Sequence, residues 1–424
     1  MIFRSSFPDP IVPEVPLTGF VLGQADRLAD KPALIDGPTG RTYTYAQLAQ
    51  AIRSAAAGLA SRGFGKGEVF GIYSPNVPEY AIAFHAVASL GGMVTTVNPL
   101  YTVRELAQQL TDCKARFLVT VPAFLENAIQ AAQQAGVEEV FVFGEAPGAT
   151  PFADLLQAEG EPPVVEIDPA KDLVALPYSS GTTGIPKGVM LTHRNLVANI
   201  CQVGSSGDLR APKESDTMIA VLPFYHIYGM VVIMNHGLAV GATVVTVPRF
   251  DMEQFLGLLQ DHGVTLAHLV PPIVLGLAKH PVVDRYNLSK LEAILCGAAP
   301  LGAAVQAEAA KRIGCTIFQG YGLTETSPVT HVYPLEPVHP KSASIGPCIA
   351  GTESMIVDPA TGGALGANQE GELWVRGAQV MKGYLNRPDA TAEAINSEGW
   401  FRTGDIAFAD EDGYFYIVDR LKEL

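Results

Sequence analysis

Short apolar segments alternate with longer helical segments over most of the first 320 residues, and this alternation constrains the fold more than any other feature. Apolar runs at residues 69–73 and 93–97, for example, flank a helical pattern at 81–90. A helix between two strands carries the chain back to the same edge of the sheet, so that the strands pair in parallel. The sequence therefore predicts an α/β fold with largely parallel, doubly wound sheets.

The same order of strands and helices recurs in two series, and a different pattern follows them. The predicted strands are 33–36, 42–45, 69–73, 93–97, 117–120, 140–143, 218–222, 242–247, 266–270, 294–295 and 316–319. The predicted helices are 45–60, 81–90, 103–111, 124–134, 192–201, 231–238, 252–262 and 303–312. From about residue 344, short alternating segments at 353–357, 371–376, 406–409 and 413–418 lie between glycine-rich turns, which is typical of a small, partly barrel-like β unit.

These patterns suggest approximate boundaries for three units of one large domain spanning residues 1–424. Residues 1–170 and 171–343 would each form an α/β unit, with 144–171 as a plausible connector, and 344–418 would form the β-rich unit. A chain of 424 residues with 48% apolar and 17% charged residues is expected to bury two or three packed cores.

The charge and the cysteines exclude some classes of function. A formal net charge of −15 gives no basic footprint for nucleic acid. The five cysteines include no Cys-x-x-Cys pair, which predicts reduced thiols in a cytoplasmic protein. The most membrane-like run, 230–247, contains Asn235 and His236 and is interrupted by glycine, so we expect a buried helix–turn–strand and no stable membrane insertion.

A loop rich in glycine and hydroxyl groups points to a polyphosphate ligand. Residues 178–188 read Tyr-Ser-Ser-Gly-Thr-Thr-Gly-Ile-Pro-Lys-Gly and follow an apolar run. Such a loop can turn backbone N–H groups, hydroxyls and the Lys187 ammonium toward one anion, most simply ATP. A Walker loop requires Gly-Lys followed by Ser or Thr, whereas Pro186 precedes Lys187 and Gly188 follows it, so a kinase or GTPase of that type is excluded.

The order of residues in this loop resembles the phosphate loop of the acyl-adenylate-forming (ANL) superfamily. Its members include acyl-CoA ligases, luciferases and the adenylation domains of peptide synthetases. The resemblance implies that the loop binds the nucleotide, with a catalytic role for Lys187. The implied contacts are Ser179, Ser180, Gly181, Thr182, Thr183, Gly184 and Lys187.

The segment Gly320-Tyr-Gly-Leu-Thr-Glu325, after the predicted strand 316–319, resembles the second core motif of the superfamily. A carboxylate that follows a glycine-flanked turn can hold Mg²⁺, which prefers oxygen ligands. The resemblance assigns Tyr321 to the adenine face, Thr324 to phosphate and catalysis, and Glu325 to the metal and catalysis. It also implies nucleotide contacts from Gln319, Gly320 and Gly322.

Three further segments resemble nucleotide-binding motifs of the same superfamily. Asp405, at the end of Trp-Phe-Arg-Thr-Gly-Asp, would accept hydrogen bonds from the ribose diol. In Asp-Arg-Leu-Lys-Glu-Leu, Arg420 would contact ribose or phosphate and Lys422 would lie at a hinge between a large and a small domain. The segment with Ala298, Ala299 and Pro300 would cover the adenine.

The segment Pro-Phe-Tyr-His-Ile-Tyr-Gly at 223–229 resembles the acyl-pocket motif. The resemblance gives His226 a gating and orienting role where the carboxylate meets phosphate. The expected pocket residues are Tyr225, His226, Tyr228, Gly229, Ala298, Gly322, Pro328 and Val329. These are small, apolar or aromatic, which favours a flat aromatic acid such as a hydroxycinnamate, while a medium-chain fatty acid also fits. Residues 224–229 contain no acid to hold an α-amine, which disfavours an amino-acid substrate.

The motifs occur together in the order of the superfamily, and 180–199, 223–229 and 321–329 most resemble 4-coumarate–CoA ligases and luciferase-like relatives. The resemblance implies ATP-dependent conversion of a small carboxylic acid, with Mg²⁺, to an acyl-adenylate and then to a CoA thioester. Because the sequence stops at Leu424, inside the hinge motif, we expect the small C-terminal domain to be absent and this chain to bind its ligands but turn over poorly. A luciferase-like monooxygenase and a non-catalytic nucleotide sensor remain as alternatives.

Overall fold

The computed structural model describes residues 1–179, 186–207, 209–334, 341 and 343–421 of the chain. The strands are β1 (Ile2–Arg4), β2 (Pro32–Asp36), β3 (Thr42–Thr44), β4 (Val69–Tyr73), β5 (Met93–Thr96), β6 (Ala115–Thr120), β7 (Glu139–Val142), β8 (Thr150–Pro151), β9 (Leu173–Ala175), β10 (Tyr178–Ser179), β11 (Lys187–Thr192), β12 (Thr217–Ala220), β13 (Thr243–Thr246), β14 (Leu266–Leu269), β15 (Ala293–Cys296), β16 (Thr316–Gly322), β17 (Val329–Val332), β18 (Thr352–Val357), β19 (Gly371–Gly377), β20 (Gly383–Tyr384), β21 (Phe401–Ala409) and β22 (Phe415–Arg420).

The α-helices connect these strands and cover the faces of the sheets. They are α1 (Leu17–Val21), α2 (Tyr45–Ser61), α3 (Pro78–Ser89), α4 (Val103–Asp112), α5 (Leu125–Ala135), α6 (His193–Gly204), α7 (His236–Val240), α8 (Met252–Asp261), α9 (Pro271–Lys279), α10 (Ala303–Ile313) and α11 (Pro388–Ala394). A π-helix, Tyr228–Asn235, leads directly into α7. Capping boxes at Thr44, Thr102 and Thr192 fix the starts of α2, α4 and α6.

The strands form three sheets. The first has the order β10-β11-β9-β5-β4-β6-β7-β8, with β20 paired to β11, and its central pairs are parallel. The second has the order β17-β16-β15-β14-β12-β13-β2-β3 and is parallel from β16 to β2. The third is an antiparallel sheet in the order β1-β18-β19-β21-β22.

The two parallel sheets enclose a shared apolar layer. Along β4, Phe70 and Ile72 join the central core with α2 and α3, whereas Val69 and Tyr73 join an outer core with α4 and α5. In the same way, α8, α9 and α10 pack on the outer face of the second sheet. Each sheet is therefore covered on both faces, as parallel sheets require, and the predicted α/β class with mostly parallel sheets is confirmed.

The sheets do not follow the approximate unit boundaries predicted from the sequence. Strands β2 and β3 belong to the second sheet, because β2 pairs in parallel with β13 through Ile35 and Val245. Strands β9, β10 and β11, which follow residue 171, belong to the first sheet. The boundaries 1–170 and 171–343 therefore need correction, since long-range pairing decides which sheet a strand joins.

The structure also describes the apolar run 230–247, the β-rich unit and the cysteines. The apolar run 230–247 forms the π-helix, α7 and β13, all largely buried, and no helix in the described part of the chain has the length and apolar character to cross a bilayer. The predicted β-rich unit forms the third sheet, but this sheet also takes in β1 from the start of the chain, which pairs with β18. Its five strands are in linear order, and among the described residues β1 and β22 do not pair to close a barrel. The five cysteines are all unbridged, as predicted.

The buried histidines predict how stability depends on pH. Burial lowers the pKa to about 3 for His85, His268 and His331 and to about 4 for His193 and His236. On unfolding, each imidazole regains an ordinary pKa of about 6.5 and takes up a proton at lower pH. The stabilisation that these neutral histidines give the folded protein is complete above about pH 6.5. It is lost as the pH falls toward their pKa values in the folded state.

We therefore expect the midpoint temperature of thermal unfolding to decrease as the pH is lowered from 7.5 to 5.5. Over that interval each histidine should lower the free energy of unfolding by about 1.4 kcal/mol. Calorimetric scans at pH 7.5, 6.5 and 5.5 would measure it. Asp and Glu with ordinary pKa values of about 4 titrate below this window and do not obscure the effect. A midpoint that is unchanged at pH 5.5 would contradict the prediction.

Candidate active site

A cleft of about 1150 Å³ lies at the carboxyl ends of the parallel strands β14, β15 and β16. Its other walls come from β10, β11, β20 and the third sheet, so all three sheets contribute to it. In open α/β sheets, ligands bind where parallel strands end, because the loops there can diverge to form a crevice. This cleft is the candidate active site.

At two positions on this edge of the sheet, neighbouring atoms come so close to the backbone that only glycine fits. A Cβ atom on Gly322 would lie 2.1 Å from the carbonyl oxygen of Pro328, and one on Gly297 would lie 2.9 Å from the ring of Tyr228. Ala298, which follows, has a positive φ of 67°. Because glycine has no side chain, the segments that follow β15 and β16 can fold over the cleft without a clash.

The Glu325 carboxylate joins segments that are far apart in the sequence. It is buried, and its Oε1 accepts hydrogen bonds from the Ser179 hydroxyl at 2.8 Å and from the Tyr384 hydroxyl at 2.9 Å. Ser179 lies on β10 and Tyr384 on β20, in the first sheet, whereas Glu325 follows β16 of the second. Two donors on one oxygen fix the orientation of the carboxylate.

Lys187 lies beside this network at the start of β11. Its Nζ is 4.9 Å from the centre of the Tyr384 ring, a cation–π distance. Tyr384 thus contacts the lysine with its ring face and the carboxylate with its hydroxyl. No spacing pattern in the sequence marks Tyr384, and only the pairing of β20 with β11 brings it to the cleft.

Asp405 and Arg420 are neighbours because β21 and β22 pair at these two residues. The Tyr321 hydroxyl donates to Asp405 Oδ2 at 2.5 Å, and Arg420 Nε lies 3.6 Å from Asp405 Oδ1. Burial raises the pKa of the Asp405 carboxyl, while the Tyr321 hydrogen bond and Arg420 oppose that rise. The carboxylate is thus available at one wall of the cleft to accept hydrogen bonds.

The aromatic residues predicted for the acyl pocket also line the cleft. His226 is exposed to the cleft, but the surrounding walls remove much of its water and lower the pKa of its imidazole. The Tyr228 ring is buried and its hydroxyl donates to the Leu295 carbonyl at 3.2 Å. Tyr225 is half-buried at the same wall.

Gly229 is the exception among the predicted pocket residues that the structure describes. It does not line the cleft, and a Cβ atom there would lie 2.2 Å from the Pro223 carbonyl oxygen. Its assignment to the pocket wall is corrected: the glycine is needed for close packing of the backbone at the start of the π-helix.

The other described candidates converge on the cleft. The lining includes Ser179, Lys187, Ala298, Ala299, Pro300, Gln319, Gly320, Tyr321, Gly322, Thr324, Glu325, Pro328, Val329, Asp405 and Arg420. The predicted nucleotide contacts Ser180, Gly181, Thr182, Thr183 and Gly184, and the predicted hinge residue Lys422, lie outside the described residues.

The donor set at Glu325 is compatible with Mg²⁺. Among the described residues, no group of three or more His, Cys, Asp or Glu side chains could hold a metal on its own. Mg²⁺ commonly takes one or two carboxylates and completes its shell with phosphate oxygens and water. A single oriented carboxylate in a phosphate-binding cleft fits that requirement.

Comparison with known proteins identifies the family. The sequence profile described as AMP-binding enzyme matches residues 22–385, which is most of the chain. The chain belongs to the AMP-binding enzyme family. Its fold is accordingly that of the large domain of acyl-adenylate-forming enzymes, as the sequence motifs predicted.

Named relatives narrow the class of enzyme. The chain is 43% identical to 4-coumarate–CoA ligase 5 of Oryza sativa subsp. japonica and 41% identical to 4-coumarate–CoA ligase 2 of Petroselinum crispum, in each case over 100% of this chain and 79% of the relative. A solved long-chain-fatty-acid–CoA ligase from Archaeoglobus fulgidus superposes with a TM-score of 0.90 at 27% identity, over 99% of this chain and 86% of that one.

A second solved structure, the luciferase-like enzyme from the nonluminescent mealworm Zophobas morio, superposes with a TM-score of 0.89 at 25% identity and covers 100% of both chains. With the family match and the 4-coumarate–CoA ligase relatives, the class is an AMP-forming acid–CoA ligase, which uses ATP and CoA to convert a small carboxylic acid to its thioester.

The position of Tyr384 gives a testable prediction. Tyr384→Phe keeps the ring beside Lys187 but removes the donor to Glu325, so we expect ATP binding in the presence of Mg²⁺ to weaken about tenfold, in line with the loss of one hydrogen bond to a charged group. Calorimetric titration of ATP, with and without Mg²⁺, would measure it.

The matched control is Tyr416→Phe, which removes a hydroxyl 3.4 Å from Asp410 Oδ2 outside the cleft lining. This variant should bind ATP as the unchanged protein does. Equal ATP affinity in Tyr384→Phe and the control would show that the Tyr384 hydroxyl does not position Glu325 for the nucleotide.

Proposed function

We propose that the acid activated by this enzyme is a hydroxycinnamate, with 4-coumarate favoured. The main support is a single cleft that is polar at Lys187 and Glu325 and aromatic at Tyr225 and Tyr228. A substrate with a carboxylate at one end and an apolar ring at the other matches both ends. The names of the curated relatives agree with this substrate class.

The polar end would bind ATP. The Lys187 ammonium would neutralise phosphate charge, and Thr324, which lines the same end, would donate a hydroxyl to phosphate. Glu325 would hold Mg²⁺, which when bound supplies further neutralisation of the phosphates. Asp405, positioned by Tyr321 and Arg420, would accept the ribose hydroxyls.

The first half-reaction joins two anions, so positioning and charge neutralisation supply most of the help that a protein can give. A carboxylate oxygen forms a bond to the α-phosphorus while the bond from that phosphorus to the pyrophosphate oxygen breaks. His226, at the aromatic wall of the cleft, would orient the acid. Its lowered pKa keeps the imidazole neutral near pH 7.

In the second half-reaction the thiol of CoA attacks the acyl carbon. The new carbon–sulfur bond replaces the carbon–oxygen bond to AMP, and the thiol loses its proton. The cytoplasmic location remains a prediction, and the partners that we propose are the acid and CoA, without nucleic acid.

The decisive experiment is pyrophosphate release by the full-length protein across cinnamates, benzoates and fatty acids. Strong release with 4-coumarate, followed by thioester formation with CoA, is the expected result. The same assay on the 424-residue chain would test the expectation of poor turnover.

Other outcomes would favour the alternatives. Release only with aliphatic acids would indicate a medium-chain fatty acyl-CoA ligase, an alternative that the superposition with the Archaeoglobus enzyme keeps open. Light emission with a luciferin and O₂ would favour a monooxygenase. ATP binding without release for any acid would favour a nucleotide sensor.

Lys187 provides a test of the polar end. Lys187→Ala should lower the rate of pyrophosphate release about 100-fold or more, the usual cost of removing one preorganised charge-stabilising group. Lys382→Ala is the matched control, because Lys382 is exposed, lies outside the cleft lining and contacts the carbonyl of Lys171. Rates within a factor of two for both variants would contradict the role of Lys187.

A further inference from the structure

The inner end of the cleft is formed by one row of side chains across three parallel strands. His268 on β14 pairs with Leu295 on β15, which pairs with Phe318 on β16, and all three line the cleft. Register neighbours in a parallel sheet project from the same face. The row therefore forms a floor beneath the loops that carry the phosphate-binding residues.

Two glycines border the space above this floor. Gly297 directly follows β15, two residues beyond Leu295, and Gly320 lies on β16, two residues beyond Phe318; neither has a side chain to fill the cleft. From Phe318 to Gly322, β16 advances about 13 Å, at about 3.3 Å per residue. An aromatic ring with a short acid chain can lie between the floor and the phosphate end.

The floor is apolar except for the imidazole. Leu295, Phe318, Val232 and Tyr228 line the cleft here. His268 is 1% exposed and packs edge-to-face with the Tyr228 ring, at 5.7 Å between centroids.

The charged groups that surround His268 are already paired. Arg210, which also lines the cleft, gives two hydrogen bonds to Asp216, at 2.8 and 2.6 Å. The neighbouring His236 is buried, and burial lowers the pKa of its imidazole to about 4.

One nitrogen of His268 has no hydrogen-bond partner in the part of the chain that the structure describes. Its Nδ1 lies 3.4 Å from the Tyr228 hydroxyl, whose single hydrogen is donated to the Leu295 carbonyl. The hydroxyl oxygen can then accept a hydrogen bond from Nδ1–H, which leaves Nε2 with its lone pair. Among the described residues, nothing hydrogen-bonds to Nε2. Buried polar atoms are nearly always paired, so an unpaired one that belongs to a cleft-lining side chain suggests a ligand contact.

We propose that His268 Nε2 accepts a hydrogen bond from the ring hydroxyl of the acid, so that the enzyme selects 4-hydroxylated aromatic acids over unsubstituted ones. This inference rests on the proposed function and adds the residue that recognises the far end of the substrate. The low pKa of the buried imidazole, about 3, keeps the lone pair available at neutral pH. A site built to bond a hydroxyl discriminates strongly against an analogue that lacks it.

The test compares kcat/KM for pyrophosphate release by the full-length protein with 4-hydroxycinnamate, cinnamate and 4-methoxycinnamate. The native protein should prefer the hydroxylated acid over both others by about 10- to 100-fold, because the methoxy group keeps the oxygen but cannot donate. This comparison requires no variant. Equal use of the hydroxy and methoxy acids would overturn the proposal.

Variants then identify the residue. His268→Leu should bring the ratio of hydroxylated to unsubstituted acid to within about threefold of one, mainly through a loss of kcat/KM with the hydroxylated acid. His268→Gln, whose amide oxygen can accept, should retain part of the preference. The control His85→Leu removes another buried histidine whose Nε2 has no partner among the described residues. His85 does not line the cleft, so this variant should leave the ratio unchanged.

The outcomes separate this proposal from the proposed function. A native preference that survives in His268→Leu would overturn the role of His268 and leave the ligase assignment intact. The absence of pyrophosphate release with every acid in the native protein would overturn both. Release with fatty acids alone would likewise remove the aromatic substrate and with it the role of His268.

Discussion

The hydrogen bonds to the Glu325 carboxylate hold the two parallel sheets in the relation on which the cleft depends. Glu325 is only 6% exposed, and a buried carboxylate is costly unless donors surround it. Ser179 and Tyr384 supply those donors from the first sheet, while Glu325 follows a strand of the second. The same contacts that compensate this carboxylate therefore link the two sheets at the candidate phosphate end.

From that junction the cleft runs inward along the second sheet. Its chemical character changes from charged groups near Lys187 to aromatic walls and then to an apolar floor with one imidazole. This gradient follows from strand geometry, since residues two apart on one strand share a face and successive rows of β14, β15 and β16 set the depth. A substrate that is charged at one end and apolar at the other fits such a gradient, with the ring hydroxyl as its only further polar group.

Much of the fold could be predicted from the sequence because the periodicity is strong. The predicted strand 69–73 and the predicted helix 252–262 match β4 and α8 within a residue at each end. Sheet membership could not be predicted in this way. Strand β2 joins β13 across more than 200 residues, and only the shared core between the sheets selects that partner.

The sequence by itself determined the family and the motif residues at the polar end of the cleft, because the motifs are local and each places its side chains within a single turn or strand end. The tertiary structure alone decided the parts that depend on contact between distant segments. Tyr384 reaches Glu325 only through the pairing of β20 with β11. His268 reaches the floor only through the register of β14 with β15. Gly229, which a motif placed in the pocket, is excluded from it by backbone packing against Pro223. The local amino-acid sequence specifies which chemical groups each motif carries, whereas the distances between groups of different motifs are set by how the sheets pack.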